Sequence, residues 1–251
     1  MIDSHVHVFR EGSEPFPGDA PVEDLLAAME DHGVTHAVLV GLSRQDEYVT
    51  ECLQTYPDTF RAILVQGPAR PDSTDALRRR VEAASAHGVR VFDLRADPAF
   101  FAWLGADDLK LWAYLHPSDH PRLVEILETV PELAVVLNHL ALRPADDVAI
   151  PPPSWPAVAE LARFPNVHVT FSGQYAFSRD VYPYADLIEY ARMVYERYGA
   201  ARMMWASDYP WPAQDPGYGR LLELVDHTFP HLPEAERTDI LGGTCARLFA
   251  L

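Results

Sequence analysis

The chain opens with the run Met1-Ile2-Asp3-Ser4-His5-Val6-His7-Val8-Phe9, which predicts a first β-strand. Side chains two residues apart in a strand lie on the same face of that strand. His5 and His7 can therefore point at one metal ion. A His-x-His pair also occurs by chance near a solvated terminus, so the choice between metal ligands and surface histidines depends on the residues downstream.

Strand-like and helix-like segments alternate along the whole chain. Short apolar or β-branched segments predict strands at residues 2–8, 35–40, 60–66, 89–94, 109–115, 133–138, 167–171 and 202–206. Longer amphipathic segments predict helices at residues 22–32, 45–56, 74–87, 98–104, 121–130, 155–164, 184–198 and 219–229, with a closing helix at 233–249. Eight strand and helix pairs in succession are the pattern of a (β/α)8 TIM barrel in the α/β class.

A doubly wound open sheet gives the same alternation and is the competing architecture. Nucleotide-binding sheets of that kind carry a Gly-x-Gly-x-x-Gly turn after the first strand, where this chain has His-x-His instead. The length of 251 residues is ordinary for one barrel. We therefore predict a single barrel domain over residues 1–251.

Composition narrows the classes of partner and location. The net charge of −17 argues against a nucleic-acid partner, because phosphates are bound by clustered Lys and Arg. No uninterrupted apolar run reaches about 18 residues, so no membrane span is predicted, and no signal peptide is expected before the first strand. The two cysteines, Cys52 and Cys245, do not suggest a disulfide framework. We expect a cytoplasmic protein that binds a small molecule, with homo-oligomerisation left open.

Polar residues recur at the carboxyl ends of the predicted strands, where a (β/α)8 barrel builds its active site. In chain order these residues are His5, His7, Arg95, His116, His139, Ser172 and Asp208. Imidazole and carboxylate donors suit zinc or a similar divalent ion that keeps one position open for water. The pattern predicts a metal-containing catalytic site at the barrel mouth.

Five motifs resemble the successive motifs of the amidohydrolase superfamily. They are DSHVH at residues 3–7, YLHP at 114–117, VVLNHL at 135–140, NVHVTFSG at 166–173 and WASDYP at 205–210. The tail ILGGTCARLF at 240–249 resembles the last helix of that family. The similarity is closest to the amidohydrolase-related branch, which contains lactonases and decarboxylases similar to aminocarboxymuconate semialdehyde decarboxylase.

The resemblance implies roles for individual residues. His5 and His7 match the metal pair of strand one, and His116 matches the ligand of strand five. Asp208 matches the strand-eight aspartate, which touches the metal and handles the proton of its water. His139 matches a histidine that stands beside the metal as an acid or base in the decarboxylase-like members.

The lysine content bears on the number of ions. Binuclear amidohydrolases commonly bridge two ions with a carboxylated lysine, but Lys110 is the only lysine here and lies at the start of predicted strand five. We therefore expect one divalent ion, with zinc favoured and manganese as the alternative. The chain also departs from the family pattern at Thr170, where many relatives have lysine, and at Thr244, where asparagine is usual.

Three functional hypotheses follow. The first is a metal-dependent hydrolase of a lactone or another cyclic ester, and the second is a nonoxidative decarboxylase of an aromatic or dienoic acid. The third is a catalytically inactive barrel that binds a partner. Arg95 and Arg44 are candidates to bind a substrate carboxylate through paired hydrogen bonds, and Tyr175 is a further candidate contact.

Overall fold

The computed structural model describes residues 1–10, 18–42, 47–67, 72–143 and 149–251. Its sheet contains eight strands: β1 (Ile2–Val6), β2 (His36–Val40), β3 (Phe60–Val65), β4 (Gly88–Val91), β5 (Lys110–Ala113), β6 (Val135–Leu137), β7 (Val167–Phe171) and β8 (Met203–Trp205). Each strand pairs in parallel with the next one along the chain. The predicted (β/α)8 barrel is confirmed.

The barrel closes between its last strand and its first. The backbone N–H of Asp208 donates to the carbonyl oxygen of His5 at 3.0 Å, and the N–H of His7 donates to the carbonyl oxygen of Tyr209 at 2.8 Å. These bonds lie just beyond the carboxyl end of β8, where Val6 and Tyr209 form a parallel bridge. Closure therefore brings the segment after β8 alongside the His-x-His pair.

Helices cover the outside of the barrel between successive strands. They are α1 (Val22–Asp31), α2 (Glu47–Thr55), α3 (Thr74–Ala84), α4 (Pro98–Ala106), α5 (His120–Thr129), α6 (Trp155–Leu161), α7 (Gln174–Phe177), α8 (Ala185–Tyr198), α9 (Tyr218–Thr228), α10 (Glu234–Thr238) and α11 (Thr244–Phe249). Within the described ranges, none of these helices combines the length and apolarity needed to cross a membrane.

Two layers of apolar side chains stabilise this arrangement. The larger layer fills the space between the strands and the surrounding helices. A smaller cluster fills the barrel interior and includes Val38, Ile63, Trp112 and Met204. Phe249 of α11 belongs to the same inner cluster, so the C-terminal segment closes the end of the barrel opposite to the predicted active site.

Several strands are shorter than predicted at their carboxyl ends. Val8, Leu94 and Leu115 were expected in strands, but each lies in the loop that follows its strand. All three are at least nine-tenths buried. Because the loops at the mouth pack against the barrel, their apolar residues continue the strand-like pattern without belonging to the sheet.

The predicted closing helix at residues 233–249 is wrong as one continuous element. α10 and α11 are separated by a wide turn over Asp239–Gly243. A Cβ atom at Gly242 would lie 3.0 Å from the backbone nitrogen of Ile2. The turn allows the backbone to pass close to β1, which an uninterrupted helix with a side chain at this position would prevent.

Candidate active site

Four side chains from three parts of the barrel converge at its mouth. The Nε2 atoms of His5 and His7 lie 3.2 Å apart. Asp208 Oδ1 is 3.3 Å from the Nε2 of His7 and 3.7 Å from that of His5, and Asp208 Oδ2 is 3.9 Å from the Nε2 of His139. All four residues are buried. The structure thus brings together four of the residues that the sequence places at strand ends.

The backbone at two of these positions is in the left-handed region. His139 follows β6 with φ of 52° and Asp208 follows β8 with φ of 59°. Such conformations cost a non-glycine residue roughly 1–3 kcal/mol each and cluster at functional sites. Here they turn both side chains toward the barrel axis directly after their strands end.

Hydrogen bonds define the protonation of the His-x-His pair. The indole N–H of Trp112, which can only donate, meets the Nδ1 of His5 at 3.0 Å. The Nδ1 of His7 lies 2.6 Å from the carbonyl oxygen of Val40 and therefore carries a proton. In neutral rings His5 then holds its proton on Nε2 and His7 keeps a lone pair there. The two Nε2 atoms can therefore form a hydrogen bond from His5 to His7.

His139 is fixed by two hydroxyl groups of β7 and the residue after it. Its backbone N–H donates to Thr170 Oγ1 at 2.7 Å. Ser172 Oγ donates to Thr170 Oγ1 at 3.0 Å, so it accepts from the Nδ1 of His139 at 2.8 Å. This leaves the lone pair of His139 on Nε2, the atom nearest to Asp208.

Asp208 is the ionised group of the cluster. Tyr175 donates to its Oδ2 at 2.6 Å, while its buried Oδ1 has no hydrogen-bond partner within the described ranges. Burial raises the pKa of Asp208, but His139, His7 and His5 lower this pKa by more than burial raises it. The pKa of Asp208 is therefore well below its usual range. Burial lowers the pKa of His139 to about 4. At neutral pH the site therefore combines a carboxylate with a neutral imidazole.

The donor atoms fit a divalent ion in type and spacing. Two nitrogen ligands of a tetrahedral zinc lie roughly 3.3 Å apart, which is close to the separation of the two Nε2 atoms of the His-x-His pair. Asp208 Oδ1, with no hydrogen-bond donor, is a free ligand atom. In the tautomers described above, the Nε2 atoms of His7 and His139 each have a lone pair that can bind a metal ion. His5 has a lone pair on Nε2 only in its other tautomer, which cannot accept the hydrogen bond from Trp112. His5, His139 and Asp208 also meet the geometry of a three-ligand site.

A cavity of about 270 Å³ opens in front of these groups. Aromatic rings form much of its wall, and its polar side chains include those of the site described above and of one arginine. The lining residues are His7, Leu42, Arg90, Phe92, Tyr114, His139, Tyr175, Ala176, Phe177, Asp208 and Trp211. Its size and composition suit a small organic substrate with a few polar groups.

Comparison with known proteins decides the family, because the amidohydrolase family model matches residues 2–251. The chain belongs to the amidohydrolase family. An L-fucono-1,5-lactonase of Burkholderia ambifaria is 35% identical over 118 residues, which cover 45% of this amidohydrolase and only 39% of the relative. A 4-sulfomuconolactone hydrolase of Rhizobium radiobacter is 26% identical over 99% of this chain and 89% of its own length.

A solved structure shows the same fold. An amidohydrolase from Burkholderia multivorans with bound zinc superposes with a TM-score of 0.81. It is 21% identical and the match covers 100% of this chain and 99% of that one. At this identity the likeness shows a shared fold, and the chemistry depends on the residues at the mouth.

Two sequence-predicted residues of this amidohydrolase, His116 and Arg95, are not brought to the cavity. His116, predicted as a metal ligand, is exposed, and its Nδ1 lies 2.8 Å from Ser118 Oγ. Arg95 lies four residues beyond β4, with a side chain that is 87% exposed and 3.5 Å from Asp93. Arg44 lies outside the described residues. Lys110 is at the amino end of β5, away from the mouth, as predicted.

Two buried charged residues of this amidohydrolase were missed. Arg90, in the middle of β4, reaches the cavity. Asp3 accepts hydrogen bonds from the backbone of Ser207 at 2.9 Å, the hydroxyl of Tyr218 at 2.7 Å and the backbone of His5 at 3.3 Å. Its burial raises its pKa to about 6. The signal for Arg90 was a charged residue between two valines inside a strand, and Asp3 is likewise a charged residue inside a strand.

Gly173 provides a test of how tightly His139 is held in this amidohydrolase. Gly173 has φ of 80°, and an added Cβ would lie 2.8 Å from the Cβ of His139. We expect Gly173→Ala to lower the free energy of unfolding by about 2–4 kcal/mol, through backbone strain and overpacking. Urea unfolding measures this change.

The matched control is Gly33→Ala. Gly33 also has a left-handed φ, of 67°, and an added Cβ would approach only the Cε of Met1, at an ordinary contact distance of 3.9 Å. Only the backbone cost of about 1–2 kcal/mol is expected there. Equal losses in the two variants would show that contact with His139 does not constrain residue 173.

Proposed function

We propose that this amidohydrolase is a lactone hydrolase. The observation that supports this proposal best is Asp208, an ionised carboxylate whose Oδ1 is unpartnered among the described residues while Tyr175 fixes Oδ2. It lies between three imidazoles and faces a cavity of about 270 Å³. The two relatives described above are both named for the opening of a lactone ring. A carboxylate that stays ionised at neutral pH and presents an unpartnered oxygen can accept a proton from water.

The residues can carry out the proton transfers that ring opening requires. Asp208 accepts a proton from the attacking water, and the water oxygen forms a bond to the lactone carbonyl carbon. The bond between that carbon and the ring oxygen then breaks. The proton passes to the ring oxygen, which leaves as a hydroxyl group, with the Nε2 lone pair of His139 as the relay. The product is a hydroxy acid, which ionises at neutral pH.

A single divalent ion, with zinc favoured and manganese as the alternative, is part of this proposal. His7, Asp208 and His5 would hold it, with His139 beside it, and the exposed His116 would not take part. When bound, such an ion supplies Lewis-acid polarisation of a carbonyl group. The residues would retain their separate tasks of holding the substrate and moving its proton.

The ligand set can be tested by metal content. Protein purified without chelator is expected to contain about one zinc per chain by elemental analysis, and His7→Ala less than a tenth of that, because it loses a lone pair at the centre of the site. His116→Ala is the matched histidine control and should retain the ion. Unchanged metal content in His7→Ala, or loss in His116→Ala, would contradict the proposed ligands.

Activity on a panel of five- and six-membered lactones tests the reaction itself. Sugar lactones, muconolactones and pyrones should be included, and acid release can be followed with a pH indicator. Turnover well above the spontaneous rate for at least one class is expected. If metal-loaded protein opens none of them, the proposal of lactone hydrolysis fails.

A nonoxidative decarboxylase is the second candidate, because Arg90 places a cation in the cavity and every substrate of decarboxylation carries a carboxylate. The two reactions differ in their products. Decarboxylation releases carbon dioxide to the headspace and takes up no water, whereas ring opening gives a hydroxy acid that retains every carbon. A barrel that binds a ligand without turnover of either kind is the remaining alternative.

A further inference from the structure

Arg90 is a buried cation that forms no ion pair with any of the described residues. Its side chain comes from the middle of β4, and the residue is only 5% exposed. Its Nε has no hydrogen-bond partner, and no ion pair of this arginine occurs in the part of the chain that the structure describes. Burying an unpaired charge is costly, and buried charges in proteins are normally paired. Burial lowers the pKa of Arg90 and the charge of Asp208 raises it. No carboxylate of the described residues forms an ion pair with the guanidinium, however, so an anion of the substrate can pair with it.

The strand register explains why the side chain points inward. Arg90 is aligned with Trp112 on the neighbouring strand β5, and the ring of Trp112 belongs to the cluster that fills the barrel. Neighbours in register on parallel strands present their side chains to the same face. Arg90 therefore projects into the barrel and reaches the cavity from below.

Aromatic rings hold the guanidinium at the cavity wall. Its carbon atom lies 5.1 Å from the centre of the Phe92 ring and 5.2 Å from that of Tyr114. The ring of Tyr114 in turn meets the His139 ring edge to face at a centroid distance of 5.4 Å. The Tyr114 ring therefore lies between the Arg90 guanidinium and His139, the proposed proton relay. One small substrate would place a substituent on Arg90 and its reacting carbonyl group near His139.

A second cation reinforces the positive side of the cavity. The Arg143 guanidinium lies 5.5 Å from the centre of the Tyr114 ring, on a side chain that donates to the carbonyl oxygen of Phe92 at 3.2 Å. Asp208 is the one carboxylate among the described residues that line the cavity, and Tyr175 and the imidazoles surround it. In a chain of net charge −17, this concentration of positive charge is a local feature.

We propose that Arg90 binds a carboxylate substituent of the substrate, so that the substrate class is a lactone bearing a carboxylate. This inference rests on the proposed lactone hydrolysis. Guanidinium and carboxylate form two parallel hydrogen bonds, which would satisfy the unpartnered donors of Arg90 and orient the ring. The cavity has a volume of about 270 Å³. A single ring with one acidic substituent fits that space.

Matched pairs of lactones that differ only in charge test this inference. Three carboxylates, namely 2-pyrone-5-carboxylate, 5-oxotetrahydrofuran-2-carboxylate and muconolactone, are each compared with the corresponding neutral carboxamide. Ring opening gives kcat/KM, and calorimetry gives Kd whether or not the ring opens. Wild-type protein is expected to prefer at least one carboxylate over its carboxamide by about 10- to 100-fold, the range for hydrogen bonds to charged groups.

Variants assign that preference to Arg90. Arg90→Met should lower kcat/KM and binding for the preferred carboxylate by about 10- to 100-fold and change the carboxamide by less than about threefold. Arg90→Lys keeps the positive charge but loses the geometry for two parallel hydrogen bonds, so it should retain part of the preference for the carboxylate. This variant replaces Arg90→Met in the test if the methionine variant fails to fold. Arg122→Met, on the exposed face of α5, is the matched arginine control and should change neither.

The outcomes separate the two proposals. Equal binding of carboxylates and carboxamides by wild-type protein, or equal losses for both in Arg90→Met, would overturn the carboxylate site and leave Arg90 as a packing residue. Binding of a carboxylate that depends on Arg90, without opening of any ring, would support the site and contradict lactone hydrolysis. Opening of neutral lactones with no preference for a carboxylate would support lactone hydrolysis and contradict the carboxylate site at Arg90.

Discussion

Asp208→Asn is expected to lower kcat/KM for lactone opening by about 10²- to 10⁴-fold, the usual contribution of a positioned general base. Asparagine has nearly the same shape, so the hydrogen bond from Tyr175 to Oδ2 and the turn after β8 can persist. What is lost is the negative charge and the unpartnered acceptor at Oδ1. Initial rates on the best lactone of the panel measure the effect.

The control for this variant is Asp31→Asn, which removes the same charge from an exposed position at the end of α1. It should keep wild-type kcat/KM. Circular dichroism and urea unfolding would show whether Asp208→Asn is folded, since burial of an amide in place of a carboxylate also changes stability. A folded Asp208→Asn variant with more than a tenth of wild-type activity would exclude Asp208 as the base.

His139→Gln is expected to lower kcat/KM by about 10²- to 10³-fold. The imidazole presents its lone pair at Nε2 because Ser172 accepts the proton on Nδ1. Glutamine can occupy much of the same volume but cannot accept a proton and pass it to the leaving oxygen. Replacement should therefore slow ring opening more for poor leaving groups than for good ones.

The pH profile gives a second measure of the same residue. Because burial lowers the pKa of His139 to about 4, its lone pair should persist until the pH falls close to that value. The wild-type profile of kcat/KM should accordingly show no inflection from this residue near pH 6.5. An inflection near 6.5 that disappears in His139→Gln would contradict the lowered pKa, and a variant with wild-type rates would exclude the relay.

The fold could be predicted from the sequence because its pattern is repeated eight times. Each strand supplied an apolar run and each helix an amphipathic one, so errors in single boundaries did not change the architecture. Most errors occurred where buried loop residues such as Leu94 continue a strand-like pattern. The closing helix was the exception, because the close approach of Gly242 to Ile2 is a tertiary contact.

The position of a site residue could be predicted from the sequence only where that residue lies on a strand or shortly after the end of one. His5 lies on a strand, and His139 and Asp208 follow closely after theirs, with backbones that turn them inward. His116 comes three residues after β5, and its extended backbone leads into a short turn where its ring caps Ser118. A residue's position after a strand does not define its direction, so the side chain of His116 faces solvent.

Arg90 shows the opposite limitation. It lies inside β4 between two valines, so the pattern of polar residues at strand ends does not include it. Only the register with Trp112 shows that its side chain enters the barrel, and only the absence of an acidic partner among the described residues marks its charge as unusual. Neither the inward direction nor the missing partner can be read from a single sequence.

Hydrolysis in water enriched in ¹⁸O tests the central proposal most directly. The lactone of the panel with the highest turnover is opened by the metal-loaded protein, and the product is analysed by mass spectrometry. Attack of water on the carbonyl carbon predicts one ¹⁸O atom in the product carboxylate and none in the hydroxyl group. Product without label, or carbon dioxide released from a carboxylate substrate with its ring intact, would contradict lactone hydrolysis at this site.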